Sequence, residues 1–206
     1  MQKLLLIGDS ITEDGRFNDD NGIGVGYVSY IQKQLQAKLI DVEVINKGIS
    51  GNRIIDLENR WQTDVINEQP DYLSISIGIN DVWRQLDRPE IEQVTPAHFE
   101  TIYRNLLHQV TTETNATIVL MEPTVIEEDP ASAGNRLLQP YVKIIRALSE
   151  EFHTVRIPLH KEFINILKRN PNTTLTTDGV HMTEDGRQFM ANIWLNTVKQ
   201  KLCLFK

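Results

Sequence analysis

Cysteine is almost missing from this chain. One of its 206 residues is Cys, at position 203, so no disulfide forms within it and the cytoplasm is the expected location. The surrounding "KLCLF" reads as an apolar helix or tail segment rather than the setting of a catalytic thiol. Clustered positive charge is missing too. Asp and Glu number 28 against 21 Lys and Arg, a formal net charge of −7. A broad basic face for nucleic acid is excluded, as is a basic patch for a membrane surface. Long hydrophobic runs are absent. Leu4 to Ile7 is cut off by Gly8-Asp9, which does not suit a signal peptide, and nothing approaches the roughly 20 apolar residues of a membrane span. The histidines at 98, 108, 153 and 160 have no metal-ligand spacing such as H-E-x-x-H. No metal or cofactor is expected. Repeats, linkers and low-complexity tracts are lacking, so residues 1–206 read as one domain.

What is present is an alternation of short apolar runs with longer amphipathic ones. Strands are predicted at 3–8, 42–48, 72–78, 117–123 and 154–159. Helices are predicted at 26–39, 54–68, 98–114, 135–152, 161–170 and 184–202. Pro140 marks a start or a kink in the fourth helix. Five strands with helical connections make an α/β chain with a doubly wound parallel sheet. Sites in such sheets gather at the carboxyl ends of the strands. Here those ends read Gly8-Asp9-Ser10, Asn46-Lys47-Gly48 and Gly78-Ile79-Asn80-Asp81.

Ser10 ends the first apolar run. A serine hydroxyl needs a base, commonly His, oriented by a carboxylate. "TTDGVHMTEDG" supplies Asp178 and His181, three apart on a loop before the last helix. Acyl transfer also needs donors for the developing oxyanion. The Gly51 N–H in "GISGN", the Asn80 side chain in "GIND" and the Ser10 N–H are the candidates. An Asp-x-x-His pair or an Asn after a strand is more often a loop brace. The combination gives these residues weight.

The blocks "GDSIT" (8–12), "NKGISGN" (46–52), "GINDVW" (78–83) and "DGVH" (178–181) resemble, in order, the four signature blocks of the SGNH hydrolase superfamily, or GDSL esterases and lipases. The resemblance implies a three-layer α/β/α sandwich with a flavodoxin-like five-stranded parallel sheet. It implies Ser10 as nucleophile, His181 as base, Asp178 as its orienting acid, and Ser10, Gly51 and Asn80 as the oxyanion hole. "GDSITEDGR", "NKGISGNRIIDLENRW" and "SIGINDVWRQLD" are similar to intracellular acetylxylan and acetyl-xylooligosaccharide esterases. That narrower resemblance implies hydrolysis of short acyl esters, acetyl above all, on a small-molecule partner such as an acylated xylo-oligosaccharide. It also implies self-association into a homo-oligomer. A lysophospholipase or acyl-thioesterase is the alternative within the superfamily. A non-catalytic carbohydrate-binding protein and a nucleotide-binding module are the alternatives outside it.

Other features have plainer readings. "GISGN" lacks the final glycine of a G-x-S-x-G elbow, so Ser50 is a turn residue. "GIGVGY" (22–27) lacks dinucleotide-loop spacing and reads as a flexible loop that shapes the pocket. Asp9, Trp83 and Arg84 are candidate substrate-binding residues, each with a rival reading. Asp9 would brace its loop by hydrogen bonds, as would Asp81. Trp83 would anchor the core. Arg84 would pair with a surface acid. Trp61 is read as core, and Trp194 as core or an oligomer contact.

Overall fold

β1 (Gln2–Gly8) is buried from Leu4 to Gly8 without alternation, as a parallel strand covered on both faces requires. A computed structural model of the chain describes residues 1–201. Cys203 and the segment around it lie outside the described residues. From Ser10 to Glu13 the chain makes a single short helix, α1, and α2 (Tyr27–Ala37) leads to β2 (Val42–Gly48). After β2 come α3 (Ile54–Trp61), β3 (Tyr72–Ser76), α4 (Ile79–Asp87) and α5 (Pro96–Glu113). β4 (Thr117–Met121), α6 (Ala133–Glu151), β5 (Val155–Ile157), α7 (Leu159–Arg169) and α8 (Glu184–Lys201) complete the order.

The sheet runs β2-β1-β3-β4-β5 with all neighbours parallel. The chain therefore builds outward from β1 in one direction and then in the other. This leaves a crevice where β1 and β3 end side by side. Gly8 stands opposite both Gly48 and Ser76, so the three strand ends finish level. Helices cover both faces in a three-layer arrangement. α2 packs on α8, while α3 and α6 flank α5 and α4 leans on α6. Trp61 and Trp194 are sealed in the core, and the Trp194 indole N–H donates to Ser74 Oγ at 3.0 Å.

Four helices depart from the sequence expectation. α1 is a single turn, too short to show a period. In α4 the first turn buries Asn80 and Asp81, 1% and 0% exposed. Polar residues occupy the inward positions that an apolar pattern would mark, so the period is hidden. The helix expected over 54–68 is α-helical to Trp61 and then widens into a π turn over Gln62–Ile66. α6 runs through Pro140 on its exposed side rather than starting there.

Gly48 is needed for close approach. A Cβ there would lie 2.2 Å from the Glu13 backbone nitrogen. Its absence lets α1 seat against the end of β2.

Candidate active site

Ser10 is the first residue of α1, directly after the end of β1. Asp9 caps this turn, its carboxylate accepting the Ile11 N–H at 3.0 Å. α1 is held from behind by Asn46, whose amide donates to Thr12 O at 2.7 Å and to Ile23 O at 2.8 Å. Thr12 Oγ1 also meets the buried Tyr27 hydroxyl at 3.1 Å. As a first-turn residue Ser10 has a backbone N–H with no intrahelical acceptor.

The loop before α8 brings His181 to Ser10 across 171 residues, with Nε2 2.9 Å from Oγ. His181 Nδ1 lies 2.6 Å from Asp178 Oδ2. Asp178 Oδ1 accepts the Val180 and His181 N–H groups at 3.0 and 2.8 Å. Partial burial works against the Asp178 carboxylate, but the His181 ring and these two N–H groups outweigh it and hold its pKa below the ordinary value. A carboxylate only accepts, so the imidazole proton belongs on Nδ1 and the Nε2 lone pair faces Ser10.

Asn80 sits buried at the start of α4, where its Nδ2 donates to Asn52 O at 3.1 Å. Its Oδ1 accepts from Arg84 Nη2 at 3.4 Å. One amide hydrogen is left over. Gly51 lies on the exposed turn between β2 and α3, at φ 82°. A Cβ there would meet nothing within 4 Å, so the backbone angle, not space inside the protein, calls for glycine. The Ile49 N–H donates to Gly8 O at 3.1 Å and so fastens this turn to β1.

The other candidates are placed differently. Asp9 is 2% exposed and turned to Ile11, so bracing rather than substrate contact is its position. Burial pushes its carboxyl up to about 7, against the downward pull of the Ile11 N–H and of His181. Asp81 accepts the Ile54 N–H with both oxygens, at 3.1 and 3.3 Å, and burial pushes it up to about 7 as well. Arg84 pairs with Asp87 on its own helix. Trp83 is half-buried, packed on the core and edge-on to the His181 ring, with centroids 5.7 Å apart and planes at 68°. The "GIGVG" segment is tied down rather than loose. The Asp19 carboxylate accepts from the backbone N–H groups of Asn21, Ile23 and Gly24 at 3.1, 3.0 and 2.9 Å.

The family model of the GDSL-like lipase/acylhydrolase family matches residues 6–189. The chain belongs to that family. It is a carboxylic ester hydrolase, and Ser10, His181 and Asp178 all fall within the matched span. The GDSL-family chain is 36% identical over 206 residues to an acetylxylan esterase of Geobacillus stearothermophilus, covering 96% of this chain and 94% of that enzyme. A crystal structure of a catalytic mutant of Axe2, an acetylxylan esterase from the same organism, superposes with a TM-score of 0.90 at 34% identity, over 100% of this chain and 96% of that one. LAE5, an α/β hydrolase enzyme from the metagenome of Lake Arreo, Spain, gives a TM-score of 0.88 at 30% identity, with coverage of 96% and 95%.

Sequence reasoning missed residues that hold this GDSL-family site from the outside. The loop carrying Asp178 and His181 rests on the segment after β4. The Glu127 N–H donates to Gly179 O at 2.7 Å. The Glu128 carboxylate accepts from Leu175 N, Thr176 N and Thr176 Oγ1 at 2.5, 2.6 and 3.0 Å. "EED" at 127–129 carries no catalytic pattern, and nothing local marks it. Among the described residues, no helix is long and apolar enough to cross a membrane.

Proposed function

We propose that this esterase removes acetyl groups from xylo-oligosaccharides through an acyl-enzyme on Ser10. The observation that carries the reading is the relay Ser10 Oγ to His181 Nε2 at 2.9 Å and His181 Nδ1 to Asp178 Oδ2 at 2.6 Å. The chain that holds it is like an acetylxylan esterase over nearly its full length.

Ser10 Oγ attacks the ester carbonyl while His181 Nε2 takes its proton. Asp178 holds the ring and stabilises the imidazolium. The tetrahedral oxyanion is met by the Ser10 N–H, the Gly51 N–H and the unspent amide hydrogen of Asn80. The imidazolium then protonates the leaving sugar hydroxyl as the C–O bond breaks. Water, deprotonated by the same imidazole, attacks the acetyl-serine, and acetate leaves as Ser10 recovers its proton. Trp83 walls the His181 side of the cleft and offers its edge region to the sugar. Arg84, already engaged by Asp87 and Asn80, orients Asn80 and does not contact substrate.

The test is hydrolysis of 4-nitrophenyl acetate, butyrate and octanoate by wild type and Ser10→Ala, followed by acetate release from acetylated xylo-oligosaccharides. Serine-dependent turnover that falls with chain length and extends to the oligosaccharides is expected. Preference for octanoate would redirect the assignment to lipid or thioester substrates. Equal turnover by Ser10→Ala would end it. A cytoplasmic site of action is part of the proposal, supported by one cysteine in 206 residues. Self-association is also part of it, and sedimentation of the purified chain tests that.

A further inference from the structure

We propose that Arg60 is a positioning residue that sets the geometry of the oxyanion hole, acting through Asn52. The inference rests on the assignment of Ser10, Gly51 and Asn80 as oxyanion donors. Arg60 lies at the end of α3, one residue before the sealed Trp61, with its side chain 14% exposed. Its guanidinium reaches three separate segments at the rim of the sheet. Nε donates to Asn52 Oδ1 at 2.8 Å. Nη1 donates to Lys47 O at 2.8 Å and Nη2 to Gly8 O at 3.0 Å. Asp64, one turn on, takes a further bond from Nη1 at 2.7 Å and balances the charge.

Two of these contacts, to Gly8 and Asn52, bear on the candidate donors. Gly8 is two residues before Ser10, so the bond to its carbonyl fixes the end of β1 from which the Ser10 N–H emerges. Asn52 follows Gly51, and holding its side chain fixes the turn that presents the Gly51 N–H. The Asn52 carbonyl in turn accepts from Asn80 Nδ2 at 3.1 Å, which aims the remaining amide hydrogen. One planar fork thus joins the three donors without touching substrate. A lysine ammonium is a point charge with no fork, and cannot meet Nε, Nη1 and Nη2 directions at once. Such preorganisation matters because oxyanion donors act only when aimed before the charge develops.

A residue that merely stabilised the fold would show its loss in unfolding temperature, with kcat and KM little changed in the folded fraction. A positioning residue shows a selective loss of kcat that depends on the donor it aims. The experiment compares wild type, Ser10→Ala, Arg60→Gln, Arg60→Lys, Asn80→Ala and Arg60→Gln with Asn80→Ala on 4-nitrophenyl acetate, with thermal unfolding of each. Arg60→Gln should lower kcat by about 10- to 100-fold with KM within about threefold, somewhat below the loss of a whole donor. Arg60→Lys should recover little of it. In the Asn80→Ala background the same substitution should cost clearly less than it does in wild type, because only the Ser10 and Gly51 donors are then left for Arg60 to aim. Wild-type kcat in Arg60→Gln, or losses that multiply in full with Asn80→Ala, would overturn the proposal. If the Arg60 variants do not fold, Asn52→Ala removes the Nε acceptor and keeps the strand-end bonds. A selective kcat loss is expected there too, and wild-type kcat would count against Arg60. Active Ser10→Ala would bring down the serine assignment itself. Inactive Ser10→Ala beside fully active Arg60→Gln would bring down the Arg60 proposal alone.

Discussion

Arg187 grips Asp14 through two hydrogen bonds, Nε to Oδ2 and Nη2 to Oδ1, each 2.8 Å. Asp14 closes α1, the turn that begins with Ser10, and Arg187 lies in the first turn of α8, which follows His181. The pair therefore joins the segment of the proposed nucleophile to the segment of the proposed base. Arg187→Gln should lower stability by about 1–2 kcal/mol, the scale of charge-assisted hydrogen bonds at a partly exposed pair. It should also lower kcat by about tenfold, as Ser10 and His181 lose their common anchor. Urea unfolding and steady-state kinetics on 4-nitrophenyl acetate read the two effects. Unchanged kcat would show that the loop contacts alone keep the two residues together.

Asp178→Asn should reduce kcat by about 10³-fold or more, since an amide can turn its NH₂ to Nδ1 and leave the proton on Nε2, where it faces Ser10. Unfolding temperature should move little, because Asp178 is on the surface side of its loop. A loss below tenfold would mean that the carboxylate does not set the tautomer.

Asp9→Asn should reveal a buried acid through the pH dependence of stability. Asp9 has a folded pKa of about 7 against an ordinary 3.8. Below pH 4 both folded and unfolded chains carry the proton, and burial costs no charge. Between pH 4 and 7 the unfolded chain releases the proton first, so wild-type stability falls as pH rises and levels off above 7. Asn keeps the cap to the Ile11 N–H and cannot ionise. The unfolding temperature of Asp9→Asn relative to wild type should therefore rise from pH 4 to pH 8. A difference that stays flat over that range would mean that the carboxyl is not desolvated. Asp81 contributes in the same direction, and the Asp9 charge pushes its pKa further up.

The two rim glycines should respond differently to alanine. Gly51→Ala puts a side chain at φ 82° with open space around it, which costs about 1 kcal/mol of backbone strain. Gly48→Ala forces a Cβ to 2.2 Å from Glu13 N, so α1 must shift as a unit. It should cost more than Gly51→Ala in stability and remove most of the kcat. Calorimetry with the ester assay checks the order, and equal effects would contradict it.

The sheet was legible because β1 and β4 are apolar on both faces, β3 alternates with period two, and the helices between them keep an apolar stripe. The order of the strands came from the resemblance, since periodicity carries no order. Ser10, Asp178 and His181 were legible as chemistry, though their meeting depends on the loop before α8 returning to α1 across 171 residues. α4 was hidden because Asn80 and Asp81 occupy its inward positions. Asp9 was misplaced among the substrate contacts because its burial depends on α1, a turn too short to have a pattern. Arg60 and Glu128 left no motif. Each acts on backbone groups, and an acceptor carbonyl has no side-chain signature in the sequence.

The chain holds three tryptophans, and their surroundings differ sharply. Trp61 and Trp194 are sealed from solvent, whereas Trp83 is half-buried with its ring against His181. A protonated imidazole is a better fluorescence quencher than a neutral one. The emission of this protein is therefore expected to carry a signal from the one indole that lies against the proposed base, over a background from two that are sealed in the core. A proton passed to the proposed base during turnover, or an acyl group seated on the proposed nucleophile, should then be followed by light without an added label.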